Sequence, residues 1–330
     1  MERFFFKGIL CIFIVVVLQS FLARIFPPPY TPAVKKAQTI FHEKPDIILF
    51  GDSTIWVMHP KDIDRSSITT MLGNLMPSFR IRDLTDPAYD ADMYFEYIRY
   101  MVRTTEKIPV IIIPINIRSF SPQWDLRPAF QYVDEKVSLQ YADTILSPYL
   151  RFFFSFQAYK RQPISMEEFY QTPVYDGAEK EGIVKNYEMI KDQPYSDENM
   201  KKLLVYFYMF ELTSTHRKYK SLEAFADFLR EHDIRVLFYL TPVDWETGVS
   251  FLGERLKDRI AKNTGLVRSM LERKGFQVLD LTFRVAPEDF GWRDSEFIYI
   301  NEHLNEKGRM YVAQMIKEAL NDQFFMSDGQ

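Results

Sequence analysis

A single cysteine, Cys11, in 330 residues excludes a disulfide within the chain and any cysteine-based metal site. Neither sign of charge is in excess. The 41 Lys and Arg against 45 Asp and Glu leave a formal charge of −4, which is no electrostatic footprint for nucleic acid. The sequence contains no G-x-x-x-x-G-K-[ST] loop, no G-x-G-x-x-G turn, no G-x-S-x-G elbow and no H-E-x-x-H helix, so those phosphate, dinucleotide, hydrolase and zinc signatures are all missing. The histidines His42, His59, His216 and His232 share no metal-ligand spacing and are expected to face solvent. Neither a cofactor nor a metal is expected, and no internal repeat stands out.

What is present begins at the N-terminus. Residues 8–26 (GILCIFIVVVLQSFLARIF) are nearly unbroken apolar, interrupted by Gln19, Ser20 and Arg24. At 1.5 Å per residue, these 19 residues nearly cross a hydrocarbon layer of ~30 Å. Arg3 and Lys7 precede the run and favour a cytoplasmic N-terminus. Arg24 and Pro27-Pro28-Pro29 follow where a signal-peptidase site would need small residues, so the run reads as a single-pass anchor rather than a cleaved signal. Either reading exports the remaining chain. Residues 1–29 are thus expected to form an anchor and Pro-rich spacer, with residues 30–330 forming one α/β domain outside the cytoplasm.

Within that domain, apolar runs alternate with helix-period segments. Strands are expected at residues 46–50, 80–84, 110–115, 235–240 and 277–281, and helices at 93–104, 221–232 and 256–273. A last helix is expected from a cap at Asn305 to about Asn321. This alternation predicts a mostly parallel sheet with helices on both faces. Residues 118–220 break the rhythm. They are rich in Phe, Tyr and Pro and read as an aromatic insertion capping the sheet.

The chemistry-bearing residues sit at the two ends of this pattern. Gly51-Asp52-Ser53 follows the apolar run Ile47-Ile48-Leu49-Phe50, which places a serine hydroxyl in a tight turn at the carboxyl edge of a sheet. His303 lies just ahead of the last helical pattern, in Asn301-Glu302-His303-Leu304-Asn305. A serine needs a base to become a nucleophile, and His303 is the candidate. Blander readings exist for each residue: Ser53 as a helix cap, Asp52 as a turn and capping residue, and His303 as a half-buried histidine at a helix start.

Gly51-Asp52-Ser53 near the start of the domain and His303 near its end resemble the SGNH (GDSL-like) hydrolase superfamily. The resemblance covers residues 46–116 and 235–321 and leaves the insertion unmatched. It implies a flavodoxin-like three-layer αβα sandwich, with the serine after the first strand and the histidine before the last helix. It also implies an oxyanion hole made by the Ser53 amide, a backbone amide after the second strand and an asparagine after the third strand. Here Ala88 takes the position where the family usually has glycine, and Asn116 takes the asparagine position. The family's aspartate, two or three residues before the histidine, is replaced by Asn301 and Ile300. Asn301 is then the candidate to orient His303, with Glu302 and Asp294 as nearby carboxylates able to fold back.

The resemblance implies a serine esterase or O-acyltransferase on acyl esters. The layout is similar to the alginate O-acetylation and teichoic acid D-alanylation proteins, which implies a cell-envelope polysaccharide substrate and a multispanning membrane acyltransferase as partner. The competing reading is a catalytically silent envelope protein of the same fold that holds a glycan or such a partner. In the insertion, Trp124 follows Asn116 closely enough to line the pocket mouth, and His59 does the same from the serine side.

Overall fold

The computed structural model describes residues 31–125, 130–142, 196–294 and 302–325, together with residues 6–8, 10, 13–14 and 17–18 near the N-terminus. In chain order the described elements are α1 (Pro32–His42), β1 (Ile47–Gly51), α2 (Ser53–Trp56), α3 (Ile68–Leu75), β2 (Ile81–Thr85), α4 (Ala91–Thr104) and β3 (Val110–Ile115). Then come a 3₁₀ turn at Ile117–Phe120, α5 (Pro122–Asp125), α6 (Val133–Gln140), α7 (Asp197–Tyr208) and α8 (Arg217–Glu231). The chain continues with β4 (Val236–Leu240), α9 (Trp245–Leu252), α10 (Arg255–Arg273), β5 (Val278–Asp280) and α11 (Glu306–Leu320).

The five strands form one parallel sheet in the order β2-β1-β3-β4-β5, the flavodoxin-like doubly wound order. Period-two alternation splits the strand side chains between two cores. Ile48, Phe50, Ile111, Ile113 and Phe238 face one core, with α1, α4, α7, α8 and α10 packed over it. Ile47, Leu49, Ile112, Leu237 and Tyr239 face the other, under α3 and α11. Strands buried on both faces are why these runs are continuously apolar rather than alternating. The three-layer architecture expected from the sequence is therefore observed, with strand ends within a residue or two of expectation.

Two differences concern the insertion and the N-terminus. Residues 118–220 are not all irregular, since α6 and α7 are regular helices and Leu203, Leu204 and Phe207 of α7 belong to the larger core. The expected membrane span falls mostly outside the described residues. Its described members, among them Leu10, Phe13, Ile14, Val17 and Leu18, are helical with exposed side chains. Among the described residues no helix is long and apolar enough to cross a membrane.

Candidate active site

Of the candidate residues that the structure describes, Ser53, Ala88 and Asn116 follow the ends of β1, β2 and β3, and Glu302 and His303 reach them there, at the carboxyl edge of the sheet, where strand ends leave backbone groups and side chains free to meet a ligand. β1 ends at Gly51, and the chain turns at once into α2. A Cβ at position 51 would lie 2.2 Å from Ile55 Cγ1 and 3.2 Å from Thr85 Cγ2, so only glycine allows so tight a turn. Asp52 is the cap of α2: its Oδ1 accepts the Thr54 N–H at 2.8 Å. That capping role is the one expected for Asp52, and it leaves Ser53 as the first helical residue, half-buried.

From the other end of the chain, His303 is held by its backbone. Gly291 N–H donates to the His303 carbonyl at 2.8 Å, and Phe290 and Leu304 form an antiparallel bridge. Asn305 then caps α11, its Oδ1 accepting the N–H groups of Lys307 at 3.0 Å and Gly308 at 3.1 Å. The result is a distance of 3.0 Å between His303 Nε2 and Ser53 Oγ, across 250 residues of sequence. Burial, reinforced by the charge of Arg118, pushes the His303 imidazole down to about 4. At neutral pH it is therefore uncharged and able to accept the serine proton.

Behind this pair lies a buried polar network. Asn116 Oδ1 accepts the Arg118 N–H at 3.0 Å, which fixes the amide's orientation. Its Nδ2 donates to Glu302 Oε2 at 2.5 Å and to Asp52 Oδ2 at 3.2 Å. Tyr208 O–H donates to Glu302 Oε1 at 2.5 Å, and Arg118 Nη2 lies 3.1 Å from Glu302 Oε2. The Arg118 guanidinium stacks on Trp124 at 4.2 Å and on Phe207 at 4.9 Å. Burial raises the Glu302 carboxyl despite Arg118 and the Tyr208 and Asn116 hydrogen bonds, with Asp52 adding to the rise.

Both oxygens of Glu302 are thus engaged by Tyr208, Asn116 and Arg118, which makes it the hub of this network. Asn301 lies outside the described residues, as does the side chain of Asp294. Ala88 sits in the loop after β2, buried, with φ at +58°. That left-handed conformation is one that glycine adopts freely and that costs alanine about 1–2 kcal/mol of strain.

The expectation that His59 and His216 face solvent is corrected by the structure: both are buried, whereas His42 and His232 are exposed. Each buried imidazole accepts a backbone N–H through Nδ1, from Lys61 at 3.2 Å and from Lys218 at 3.1 Å. Trp124 packs against Arg118, Phe130 and Phe207.

Three participants are not evident from sequence reasoning. Arg118 and Tyr208 belong to the insertion, and nothing in their local pattern marks them. The third, Arg309, is fully buried in α11. It donates to Asp62 Oδ2 at 2.7 Å and to the carbonyls of Leu304, Asp64 and Ser66 at 2.9, 2.8 and 3.0 Å. Asp62 also accepts the His59 N–H at 2.8 Å and the Glu306 N–H at 3.2 Å. The chain leaving Ser53 is thereby clamped to the helix that follows His303. An arginine within the apolar helical pattern of residues 306–320 is the one sequence signal of it. Among the described residues, no group of three or more His, Cys, Asp or Glu side chains is placed to hold a metal.

No protein-family model matches the chain, and no curated protein sequence matches it. Among solved structures, the chain is similar to a lipase/acylhydrolase from Enterococcus faecalis, at 9% identity and a TM-score of 0.38, covering 84% of this chain and 95% of that one. It is also similar to an acetylxylan esterase from Geobacillus stearothermophilus, at 10% identity and a TM-score of 0.36, covering 84% and 94%. Likenesses this distant carry no argument about what the chain does.

Proposed function

We propose that the chain is a serine esterase or O-acyltransferase of the SGNH type, with Ser53 as nucleophile and His303 as base. The single observation that carries this reading is the 3.0 Å approach of His303 Nε2 to Ser53 Oγ, made by a neutral imidazole. Ser53 Oγ attacks an ester carbonyl carbon while Nε2 takes its proton. The tetrahedral intermediate collapses, the alcohol leaves with that proton, and an acyl-serine remains. Water as second nucleophile completes hydrolysis, and a sugar hydroxyl completes transfer.

The oxyanion is served by the N–H groups of Ser53 and Ala88 and by the Asn116 amide, each donor contributing roughly 10²–10³ in rate. Asn116 donates to two carboxylates at rest, so it reaches an oxyanion by giving up a bond. The one to Asp52, at 3.2 Å, is the longer. Orientation of the imidazole falls to Asn301 in this reading.

The apolar run of residues 8–26, with Arg3 and Lys7 before it, supports a membrane anchor with the domain outside the cytoplasm. That location supports cell-envelope polysaccharide acyl esters as substrate and a multispanning membrane acyltransferase as partner.

A specific observation favours a second reading. The Asn116 protons are committed to carboxylates, and positions 300 and 301 carry no acidic side chain, which suits a silent protein of the same fold that binds a glycan or a membrane partner. One experiment decides between them. The parent chain is expected to react with a serine-directed fluorophosphonate and to hydrolyse p-nitrophenyl acetate, with Ser53→Ala and His303→Ala slower by about 10³-fold or more. Equal rates in all three proteins, above the buffer background, would sink the catalytic reading.

A further inference from the structure

Four tryptophans occur in the chain, and three are held in place. Trp124 stacks on Arg118, Trp245 meets Phe283 with Lys257 over its ring, and Trp292 donates its indole N–H to Asp244 at 2.8 Å. All three pack against the larger core. Trp56 differs. It is 38% exposed and has no ring or hydrogen-bond partner among the described residues. Apart from Ile63 and the N-terminal stretch, it is the sole large apolar side chain exposed among the described residues.

Its position gives the exposure meaning. Trp56 is the last residue of α2, three residues after Ser53. Residues three apart on a helix have Cβ atoms about 5–6 Å apart on neighbouring faces. The indole therefore stands beside the nucleophile. Single exposed apolar residues are ordinary on protein surfaces; one a helical turn from a serine already paired with a histidine is not placed at random.

We infer that Trp56 is a stacking platform for the sugar ring that carries the ester, and so a specificity-determining residue of the Ser53 site; this rests on the esterase reading above. A broad indole face matches the C–H face of a pyranose, while the ring's hydroxyls require polar partners. Those partners lie along the same segment. A cleft of about 360 Å³, whose lining takes in none of Trp56, Ser53 and His303 themselves, is formed by His59, Lys61 and Asp62 from the chain leaving Ser53, and by Glu288, Asn305 and Lys307 from the chain around His303. That size is in the range of ligand pockets. An acyl chain as the occupant is less well served. The cavity behind Asn116, bounded by Tyr89, Tyr94, Ile115 and Phe120, holds about 10 Å³, space for about one water.

The test compares three esters on the full chain and on Trp56→Ala and Trp56→Phe: methyl tri-O-acetyl-xyloside, ethyl acetate and ethyl octanoate. The ratio of kcat/KM for the sugar acetate to that for ethyl acetate should fall about tenfold in Trp56→Ala, mainly through KM, and recover largely in Trp56→Phe. An unchanged ratio overturns the proposal, as does a loss confined to ethyl octanoate, which would make the indole an acyl-chain contact. Binding is read separately in the Ser53→Ala background, where indole fluorescence should change on titration with the xyloside and lose that change in Trp56→Phe. Absence of a Trp56-dependent change overturns the stacking role whether or not the parent turns over ester. A change without turnover or fluorophosphonate labelling would instead keep the sugar platform and sink the esterase reading.

Discussion

Two buried acidic clusters tie the α/β body to the helices around it, and they differ in how their charge is balanced. At the start of α4, Asp90, Asp92 and Asp125 meet Lys136, Arg217 and Lys218. Lys218 Nζ lies 2.5 Å from Asp90, and Arg217 contacts both Asp92, at 3.2 Å, and Asp125. Beside Ser53 and His303, Asp52 and Glu302 share the Asn116 amide, with Arg118 as the cation against Glu302.

Burial raises the carboxyl in both places, but the outcomes are opposite. Lys136, Arg217 and Lys218 overcome burial and hold Asp92 well below its usual value, whereas Arg118 does not overcome it for Glu302. Where cations match carboxylates, the cluster serves as a fastening. Where they do not, an acid is left in tension next to Ser53 and His303, the imbalance that marks functional sites.

The sharpest way to break this contrast is to remove a cation from the balanced cluster. Lys218→Met should destabilise the fold by about 3–5 kcal/mol in urea unfolding, because Asp90 is left buried without its ion pair. Activity of the folded protein should stay within about twofold. A stability close to the parent's would show that the balanced cluster does not fasten the fold.

Neutralising one acid in each cluster gives a smaller effect with opposite pH dependence. Asp92→Asn should cost about 1.5–3 kcal/mol at pH 7. The Asp92 carboxyl is depressed in the folded state, so its contribution is present above 3.8 and is lost as pH falls below it. The deficit of Asp92→Asn should shrink in that range. Glu302 is raised above 4.5, so its contribution is complete below 4.5 and is lost as pH rises through its folded value. The parent's advantage over Glu302→Gln should therefore grow as pH falls from 7 to 4.5. Parallel trends in the two variants, measured by urea midpoints across pH, would erase the distinction.

The smallest effect is on the base itself. The acid limb of kcat/KM for p-nitrophenyl acetate should lie near pH 4, well below the 6.5 of a free imidazole. In Arg118→Met it should move up only part of the way, because burial is the larger cause and the Arg118 charge the smaller. A parent limb at 6.5 would mean that neither burial nor the Arg118 charge acts on His303.

Much of this molecule is legible in its sequence. The three central strands, β1, β3 and β4, read directly, because a parallel sheet covered on both faces demands unbroken apolar runs. The cap at Asn305 announced α11, and Gly51-Asp52-Ser53 announced a turn whose glycine is required by the closeness of Ile55. Ser53 and His303 were visible as a pair because each sits at a junction of elements. Arg118 and Tyr208 were not, because a buried ion network has no period and its members come from segments whose spacing carries no signal. The two buried histidines were misread for the same reason: burial of a polar ring is decided by what folds over it.

Local pattern alone thus determined the strands, the helices that alternate with them, and the turn presenting Ser53, since each depends on side-chain periodicity or on backbone freedom at one residue. Only the tertiary structure decided which charges face Glu302, that His303 stays neutral, and that Arg309 joins the chain after Ser53 to the helix after His303. Those outcomes depend on desolvation and on distances between residues up to 250 positions apart, quantities that exist only once the chain has closed on itself.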